Sequence, residues 1–511
     1  MRRSRTNRSR NRKRRIEGRL AGRDWSAQTT PMFRAKNIVY DVADRVRATT
    51  CGGIGAVHLM CRRIGLIESI DDRLHLLKVH LPYSESDHVV NIAYNILCGG
   101  TCLEDLELRR TDEVYLDALG TQRSPDPTTA GDFCRRFDED DVLDLMGAIN
   151  EARLMVWKQQ PKEFFDEAII EADGTIVETA GECKEGADFS YTGRFGYHPM
   201  VVSVANTQEP LFVVNRSGNR PSQEESAIWF DRAISLCRQG GFRSIRLRGD
   251  TAFSQTEYLD GWDEDGVTFI FGIQASARLE HRAENLEESR WKRLRRDPKY
   301  AIATERRSRP ENVKEQVIVE REFDNVHLDY EEFAEFRYRP VKCKKTYRVI
   351  ALKKHLIWTK GQAQLWDEVR YFFYITNDRD TPAEEIIFCA NARCNQENLI
   401  EQLKNGVHAL RAPVDSLVSN WAYMVMASLA WTLSRWYALL LPTRGRWRNR
   451  YRTERAELLR MEFKRFVNSV IRLPCQIVRA ARRIEYRLLG WNRWQSTLFR
   501  MADAMRHPLR C

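Results

Sequence analysis

Two aspartates end apolar runs that have the length and composition of buried strands. Asp173 follows the run AIIEA and begins a DGT turn, and Asp250 follows the run SIRLR and one glycine. Capping of a turn or a helix is the ordinary role of an aspartate in such a position. Two carboxylates at the strand ends of one sheet, however, repel each other unless cations join them. Mg²⁺, which binds through one or two carboxylates together with substrate phosphates, meets that need.

A third candidate acid lies in the segment ARCNQENLIEQLKNG, residues 392–406. On an α-helix, Glu397 and Lys404 would lie about 40° and about 20° around the axis from Arg393, with Glu401 at about 80° as the alternative acid. Such a stripe is often a solvated row of ion pairs. The other interpretation is a helix face that offers one carboxylate to a metal and two cations to phosphates, which suits phosphodiester chemistry better.

The region around these acids has the apolar pattern of a mixed α/β sheet, as in the ribonuclease H-like fold. Five strands and one helix are expected, in chain order, at 168–172, 199–205, 211–215, 227–238 (the helix), 244–248 and 267–273. From residue 278 the chain becomes highly charged and strand-like, with strands expected at 316–323 and 347–352. This stretch is predicted to be a β-rich insertion, after which sheet and helix resume at 368–376 and 391–405.

The net charge of +11 is distributed unevenly along the 511 residues. Residues 1–15 carry +9, residues 435–511 carry +14, and the body between them carries −12. A basic head and tail on an acidic body predict a polyanionic partner held by both ends. The head has one apolar residue, Met1, and therefore lacks the amphipathic face of a targeting peptide, so a disordered arm is predicted. In the tail, apolar residues from Phe466 to Leu488 recur at helical spacing between arginines, which predicts helices that contact DNA or a second subunit. The alternative is a purely structural helical cap.

Several classes of protein are excluded by motifs that the chain lacks. It contains no HExxH, GxxxxGK[ST] or GxSxG string, so nothing supports a zinc protease, an ATPase or an esterase. The longest apolar run, Trp421 to Leu441, contains Arg435 and is predicted to be a buried core helix rather than a membrane span. The twelve cysteines are expected to be reduced thiols in a cytoplasm.

The order of the acids resembles that of the DDE transposases of bacterial insertion sequences. Asp173 in DGT and Asp250 in RGDTAFS precede the charged insertion, and the pattern R-x3-E-x6-K follows at Arg393, Glu397 and Lys404. Supporting strings are YHPMVVSVANTQEPLFVVNRSGN before the second acid and RCNQENLIEQLKNG after it. The most similar class has an all-β insertion between the second Asp and the Glu, and is known as the DDE group 1 domain.

The resemblance implies a metal-binding catalytic triad of Asp173, Asp250 and Glu397 in a ribonuclease H-like core. It implies two Mg²⁺ (or Mn²⁺) ions that activate water or a 3′-hydroxyl for attack on a phosphodiester. Arg393 and Lys404 would hold the terminal phosphates. The implied partners are double-stranded DNA, as terminal inverted repeats and target DNA, and a second copy of the chain in a synaptic complex. The implied location is the cytoplasm of a bacterium, at the nucleoid, with no membrane partner.

One position departs from the pattern of this family. Its members carry a Tyr three residues before the Arg, and this chain has Ala390 there. The departure keeps open a DNA-binding protein that descends from a transposase and whose catalytic site is dead. A structure-specific nuclease with the same fold and metals but no strand transfer is the other alternative.

The sequence predicts an α/β core with helical N-terminal and C-terminal regions. Changes in composition and turn-rich stretches give the boundaries of its parts. These are a basic disordered arm (1–24), a helical DNA-binding domain (25–160), the first part of the catalytic core (161–277), the β-rich insertion (278–366), the second part of the core (367–442) and a basic helical C-terminal region (443–511).

Basic residues beside an aromatic one predict a DNA contact in the insertion. The string RWKRLRR places Arg290 and Arg293 beside Trp291, whose ring could stack on an extruded base, and Trp358 is a second candidate. Core packing or a solvated run of charges is the alternative for each.

Two further pairs of arginines are predicted to contact DNA. Arg135 and Arg136 follow the string TTAGDFC, which is either half of a helix-turn-helix or a plain surface helix. Arg12 and Arg14 lie in the basic head and are predicted to contact the phosphate backbone.

Overall fold

The computed structural model describes residues 2–21, 35, 38–42, 46–80, 82–296, 313–360, 363–480 and 483–509. These residues combine helices with one large mixed sheet, which confirms the predicted α/β class. The boundaries of the predicted domains stay predictions.

The helices are numbered in chain order. Those before the sheet are α1 Arg2–Ala21, α2 Ile54–Arg63, α3 Leu66–Arg73, α4 Glu85–Leu97, α5 Leu106–Arg110, α6 Glu113–Leu119, α7 Pro127–Cys134 and α8 Glu139–Trp157. Those within or beside the sheet are α9 Ser226–Gln239, α10 Leu259–Glu264, α11 Ala277–Glu284, α12 Val313–Glu320, α13 Ala383–Asn391, α14 Cys394–Glu401 and α15 Leu417–Leu440. The last are α16 Arg448–Leu459, α17 Phe463–Phe466 and α18 Gln495–Ala504.

The strands are numbered in the same way. They are β1 Ala48–Thr49, β2 Glu167–Gly174, β3 Val177–Glu178, β4 Asp188–Phe189, β5 Phe195–Tyr197, β6 Met200–Val204, β7 Glu209–Val214, β8 Ser244–Gly249, β9 Thr268–Ile273, β10 Lys292–Arg293, β11 Asp324–Tyr338, β12 Tyr347–Lys360, β13 Ala363–Thr376, β14 Cys475–Ala480 and β15 Arg483–Leu488. The five predicted strands are β2, β6, β7, β8 and β9, and the predicted helix between them is α9, so these predictions are confirmed.

The central sheet positions the candidate acids. Among the described residues it has nine strands, in the order β10-β11-β12-β13-β9-β8-β2-β6-β7. Strands β2, β8 and β9 are parallel neighbours, and every other neighbouring pair in this sheet is antiparallel. The parallel register pairs Glu171 with Arg248. Asp173 and Asp250 each lie two residues further along, so they are level at one edge of the sheet.

The β-rich stretch extends the central sheet instead of forming a separate module. Strand β13 pairs with β9, and β12, β11 and β10 follow in turn. The strand expected at 316–323 is wrong, because helix α12 ends at Glu320 and β11 begins at Asp324. The run of β-branched residues in α12 suggested a strand, but strand preference depends on cross-strand neighbours, and none of its residues is buried.

The prediction of a disordered arm is wrong for residues 2–21, which form α1. Arg5 donates to Asp503 at 2.8 Å, and Ser9 donates to Gln495 at 2.7 Å. Arg12 donates to the carbonyl of Leu488. These contacts lie one to two helical turns apart on one face, so the helix is docked on the C-terminal region by polar contacts that need no apolar face.

The C-terminal region was predicted to be helical, but part of it forms strands. Its segment after Pro474 forms the hairpin of β14 and β15, and β1 pairs with β14 as a third strand. Proline ends the preceding helical segment because it cannot continue the backbone hydrogen bonds of a helix. Cys475 and Ile477 alternate inward with the period of a strand and are buried.

The apolar run from Trp421 to Leu441 lies within and just after α15, which is buried almost throughout, as predicted. Helix α15 packs against α4, α8 and β7. Its internal cation, Arg435, lies 3.8 Å from the ring of Trp431 and donates to the carbonyls of Leu459 and Met461. Among the described residues, none of the helices has the length and apolar character needed to span a membrane.

Candidate active site at the edge of the central sheet

Three carboxylates lie around one guanidinium group at the ends of β2 and β8. Nη1 of Arg393 is 3.2 Å from Oδ2 of Asp173 and 3.6 Å from Oδ2 of Asp250, and its Nη2 is 3.2 Å from Oε1 of Glu397. The three acids come from positions far apart in the chain. Their convergence is the arrangement that a shared cation requires.

The helix that carries Glu397 is shorter than predicted. Helix α14 begins after Arg393 and ends at Glu401, and a π-helix follows over Gln402–Gly406. Lys404, in this π-helix, donates to Oγ1 of Thr175 at 3.2 Å and to the carbonyl of Ile176 at 2.9 Å. Both cations therefore reach the chain where β2 ends, although they are not on one continuous α-helix.

The three acids differ in how far they are exposed to solvent. The exposed fraction of the side chain is 18% for Asp173, 36% for Asp250 and 57% for Glu397. Burial raises the pKa of Asp173 to about 6, and the neighbouring charges of Asp250 and Glu397 also raise it against the opposing effect of Arg393. The charged form of this most buried acid is thus disfavoured unless a further cation binds it.

A second ion pair lies behind the acids. Arg248 donates to Glu171 at 2.6 Å, with exposed fractions of 3% and 1%, and also donates to the carbonyl of Cys389 at 2.8 Å. This pair joins β2 to β8 and ties both to the end of α13, which precedes Arg393. Sequence reasoning missed it, although the signal was present, since Glu171 and Arg248 each stand two residues before one of the aspartates.

The profile of the protein family described as transposase DDE domain group 1 matches residues 34–508. The chain belongs to this family. A cryo-EM structure of a piggyBac transposase synaptic complex with hairpin DNA is similar at 9% sequence identity and a TM-score of 0.36, over 83% of this chain and 80% of that chain. Among curated proteins, no relative matches significantly.

The carboxylates of this transposase-family chain fit a divalent cation by their chemistry. Oxygen ligands from carboxylates are those that Mg²⁺ and Mn²⁺ prefer. Among the described residues, however, no group of three or more His, Cys, Asp or Glu side chains is arranged to hold a metal ion as it stands. The guanidinium of Arg393 lies between the acids, so a cation could bind all three only after Arg393 withdraws.

The aromatic neighbour of the site lies on β13 rather than at position 390. Ala390 and Tyr374 pack against the same apolar cluster, and the hydroxyl of Tyr374 is 3.2 Å from Oδ1 of Asn391. Burial raises the pKa of Tyr374, so its hydroxyl is neutral at physiological pH. The hydroxyl of Tyr374 therefore contacts Asn391, two positions before Arg393, although Ala390 supplies no hydroxyl.

The residues of the insertion that are predicted to contact DNA pack against residues of β11 and β13. The ring of Trp291 lies 6.2 Å from the ring of Tyr371. The neighbouring Arg290 and Arg293 also contact other residues of the chain. Arg290 donates to the carbonyl of Glu335 at 2.8 Å, and Arg293 lies 4.4 Å from the ring of Tyr330. Their contact with DNA stays a prediction.

Of the other four arginines predicted to contact DNA, two are held by other residues of the chain and two are exposed. Arg135 is paired with Asp132 and Asp415, whereas its neighbour Arg136 is exposed. Arg12 is bound to the Leu488 carbonyl, whereas Arg14 is exposed. None of the four lies among the residues that contact the three acids.

Proposed function

We propose that this member of the transposase DDE family is a DNA transposase. It would bind the terminal inverted repeats of a bacterial insertion sequence and catalyse metal-dependent strand cleavage and strand transfer. The observation that carries the proposal is the convergence of Asp173, Asp250 and Glu397 on Arg393 at the edge of the sheet. A homodimer in the synaptic complex and a bacterial cytoplasm, at the nucleoid, complete the proposal.

The topology of the sheet supports a ribonuclease H-like core. The strands β2, β6 and β7 are successive antiparallel neighbours, and β8 and β9 continue in parallel on the other side of β2. In this order β2 and β8, the first and fourth strands of the core, are parallel neighbours. The acids at their ends therefore lie close together although they are far apart in the sequence. Helix α14 then adds the third acid from one face of the sheet.

The roles of the side chains follow from their charges and positions. Asp173, Asp250 and Glu397 would hold two Mg²⁺ or Mn²⁺ ions, which supply activation of water or of a 3′-hydroxyl and stabilisation of the leaving oxygen. Arg393 would turn from the acids to a phosphate of the DNA, which its planar guanidinium can bind through two hydrogen bonds. Lys404 would act on a neighbouring phosphate as a point charge, held in place by Thr175 and the Ile176 carbonyl.

Binding of Mn²⁺ should depend on pH in a way set by Asp173. This carboxyl has a pKa of about 6, above its unfolded value, so a proton competes with the cation as pH falls through 6. We expect the affinity for Mn²⁺, measured by electron paramagnetic resonance of the free ion, to fall by about tenfold in total between pH 7 and pH 5. Equal affinity at pH 5 and pH 7 would contradict this assignment.

The same shift makes a prediction for protein prepared without divalent metal. Because the folded state binds the proton more tightly than the unfolded state, the contribution of Asp173 to stability declines as pH rises from about 4 to about 6. The charged groups facing it are Asp250, Glu397, Glu171 and Arg393. Asp173→Asn should remove this part of the pH dependence of the unfolding midpoint, and the control Glu401→Gln should leave it in place.

One assay separates the proposed function from its alternatives. Purified protein would be given a labelled end of the element, target DNA and Mg²⁺ or Mn²⁺. Joined product supports transposition, and cleavage without joining supports a structure-specific nuclease. A gel shift with neither product supports a DNA-binding protein without catalysis.

A further inference from the structure

The two basic ends of the chain lie against the same helix, α18. Arg5 of α1 donates to Asp503 and lies 4.5 Å from the ring of Phe499. On the neighbouring side of α18, Arg500 donates to Glu454 of α16 at 2.5 Å and lies 3.7 Å from the ring of Tyr451. Helices α1 and α16 therefore flank α18, although the residues that form them are more than 400 positions apart in the sequence.

Both helices expose several arginines that have no acidic partner among the described residues. In α1 the docked face uses Arg5, Ser9 and Arg12, and the exposed arginines are Arg8, Arg10, Arg14, Arg15 and Arg19. At the start of α16 and just before it, the exposed arginines without an acidic partner are Arg444, Arg446, Arg448 and Arg452, whereas Arg450 pairs with Glu454. We call these nine residues the terminal basic surface.

Like charges repel, so a surface of this kind is compensated when a polyanion binds to it. We propose that the terminal basic surface binds the phosphate backbone of duplex DNA, independently of base sequence and outside the catalytic edge of the sheet. The inference rests on the proposed function for the identity of the polyanion. It adds that the two ends act as one surface, and that the binding residues of the head are its outward arginines rather than Arg12.

The position of the surface separates it from the acids. Arg455 of α16 donates to Gln160, which lies seven residues before the start of β2, and Asp173 lies near the end of that strand. The eight residues of β2 span about 25 Å. The surface is thus placed to hold DNA some distance from the bond that is cleaved.

The composition of the surface argues against a lipid membrane as its partner. A helix that lies on a membrane buries a continuous apolar face between the headgroups. In α1 the apolar residues are Ile16, Leu20 and Ala21, all in the last two turns. An arginine-rich helix without an apolar face suits the backbone of a nucleic acid, which arginine recognises through paired hydrogen bonds.

The test compares three triple variants that each remove three positive charges. Arg8, Arg15 and Arg19 are changed to Ala in the first, and Arg446, Arg448 and Arg452 in the second. The matched control changes Lys78, Arg123 and Arg379, which are exposed cations outside the surface. The affinity of the full-length chain for a 40-bp duplex of arbitrary sequence (about four helical turns) is measured by fluorescence anisotropy across a range of KCl concentrations.

The logarithm of the association constant K falls as log [KCl] rises, with a slope of about −0.9 for each phosphate contact. We therefore expect each surface variant to make this slope less steep by about two to three. At 150 mM KCl, close to physiological ionic strength, this corresponds to a loss of affinity on the order of 10- to 100-fold. The control should make the slope less steep by less than about one. Single-turnover cleavage at saturating DNA should keep the wild-type rate in both surface variants, which distinguishes failure of the surface from failure of the active site.

Slopes equal to that of the control in both variants, with unchanged unfolding midpoints, would overturn the proposal. A loss confined to one variant would overturn the claim that the two ends form one surface. Binding of the wild-type chain to anionic phosphatidylserine vesicles that the surface variants abolish, without any change in DNA affinity, would assign the surface to lipid and also overturn it.

Discussion

Replacing Asp250 by Asn should lower the rate of DNA strand cleavage on the order of 1,000-fold. The substitution keeps the size of the side chain and removes its charge, so a divalent cation would lose one of three carboxylate ligands. Loss of about 4 kcal/mol of transition-state stabilisation corresponds to this factor, because each 1.36 kcal/mol changes a rate tenfold. The rate is to be measured under single-turnover conditions with a labelled DNA end and Mg²⁺.

Affinity for DNA should change little in the Asp250→Asn variant. Removing a negative charge next to the phosphates does not weaken their attraction to Arg393 or Lys404.

A matched pair of substitutions on α14 tests the third acid, since Glu397→Gln should lose cleavage as Asp250→Asn does. Glu401→Gln should cleave at the wild-type rate, because Glu401 accepts a hydrogen bond from Asn405 at 2.7 Å and does not contact Arg393. Wild-type cleavage by Asp250→Asn or Glu397→Gln would show that the triad is assigned wrongly.

Replacing Glu209 by Ala should destabilise the fold by about 3–5 kcal/mol. Glu209 is fully buried and accepts hydrogen bonds from Arg153 at 2.7 Å and from Trp436 at 2.7 Å. It also accepts from Trp157 at 3.2 Å and Thr207 at 2.5 Å. The substitution would leave the guanidinium of Arg153 buried without its counter-ion, and would loosen α8 and α15 from the start of β7 together.

The exposed pair of Glu178 and Arg194 provides a control for this prediction. Their exposed fractions are 57% and 60%, and their separation is 2.6 Å. Because solvent screens such a pair, Glu178→Ala should change the free energy of unfolding by less than about 1 kcal/mol. Urea unfolding followed by tryptophan fluorescence measures both variants. A change below 1 kcal/mol for Glu209→Ala would contradict the structural role given to the buried network.

The two candidate aspartates could be predicted from the sequence because each stands at the end of a strand that is apolar in itself. The runs before Asp173 and Asp250 are local patterns, and strands of one parallel sheet bring their ends to one edge. The contact between Arg393 and the two aspartates could not be predicted in this way. It depends on the packing of α14 on the sheet, which involves residues more than 140 positions apart.

The errors of sequence reasoning occur where tertiary contacts decide the local structure. Residues 2–21 have no apolar stripe, and their helix is held in place by hydrogen bonds to Gln495 and Asp503 of α18. Residues 475–480 and 483–488 have apolar spacing that suits a helix, yet they follow Pro474 and form two paired strands, the first of which also pairs with β1. The β-branched run of α12 lacks a strand partner. For α1 and the hairpin the partner lies elsewhere in the chain, and for α12 it is absent among the described residues, so none of the three outcomes is encoded in the segment itself.

The most direct test of the central claim is a crystal structure of the chain bound to a DNA end in the presence of Mn²⁺, with anomalous diffraction data. The account predicts anomalous peaks within coordination distance of Asp173, Asp250 and Glu397, with Arg393 turned from the acids to a phosphate. Peaks at other residues, or three carboxylates still paired with Arg393 at saturating Mn²⁺, would contradict it.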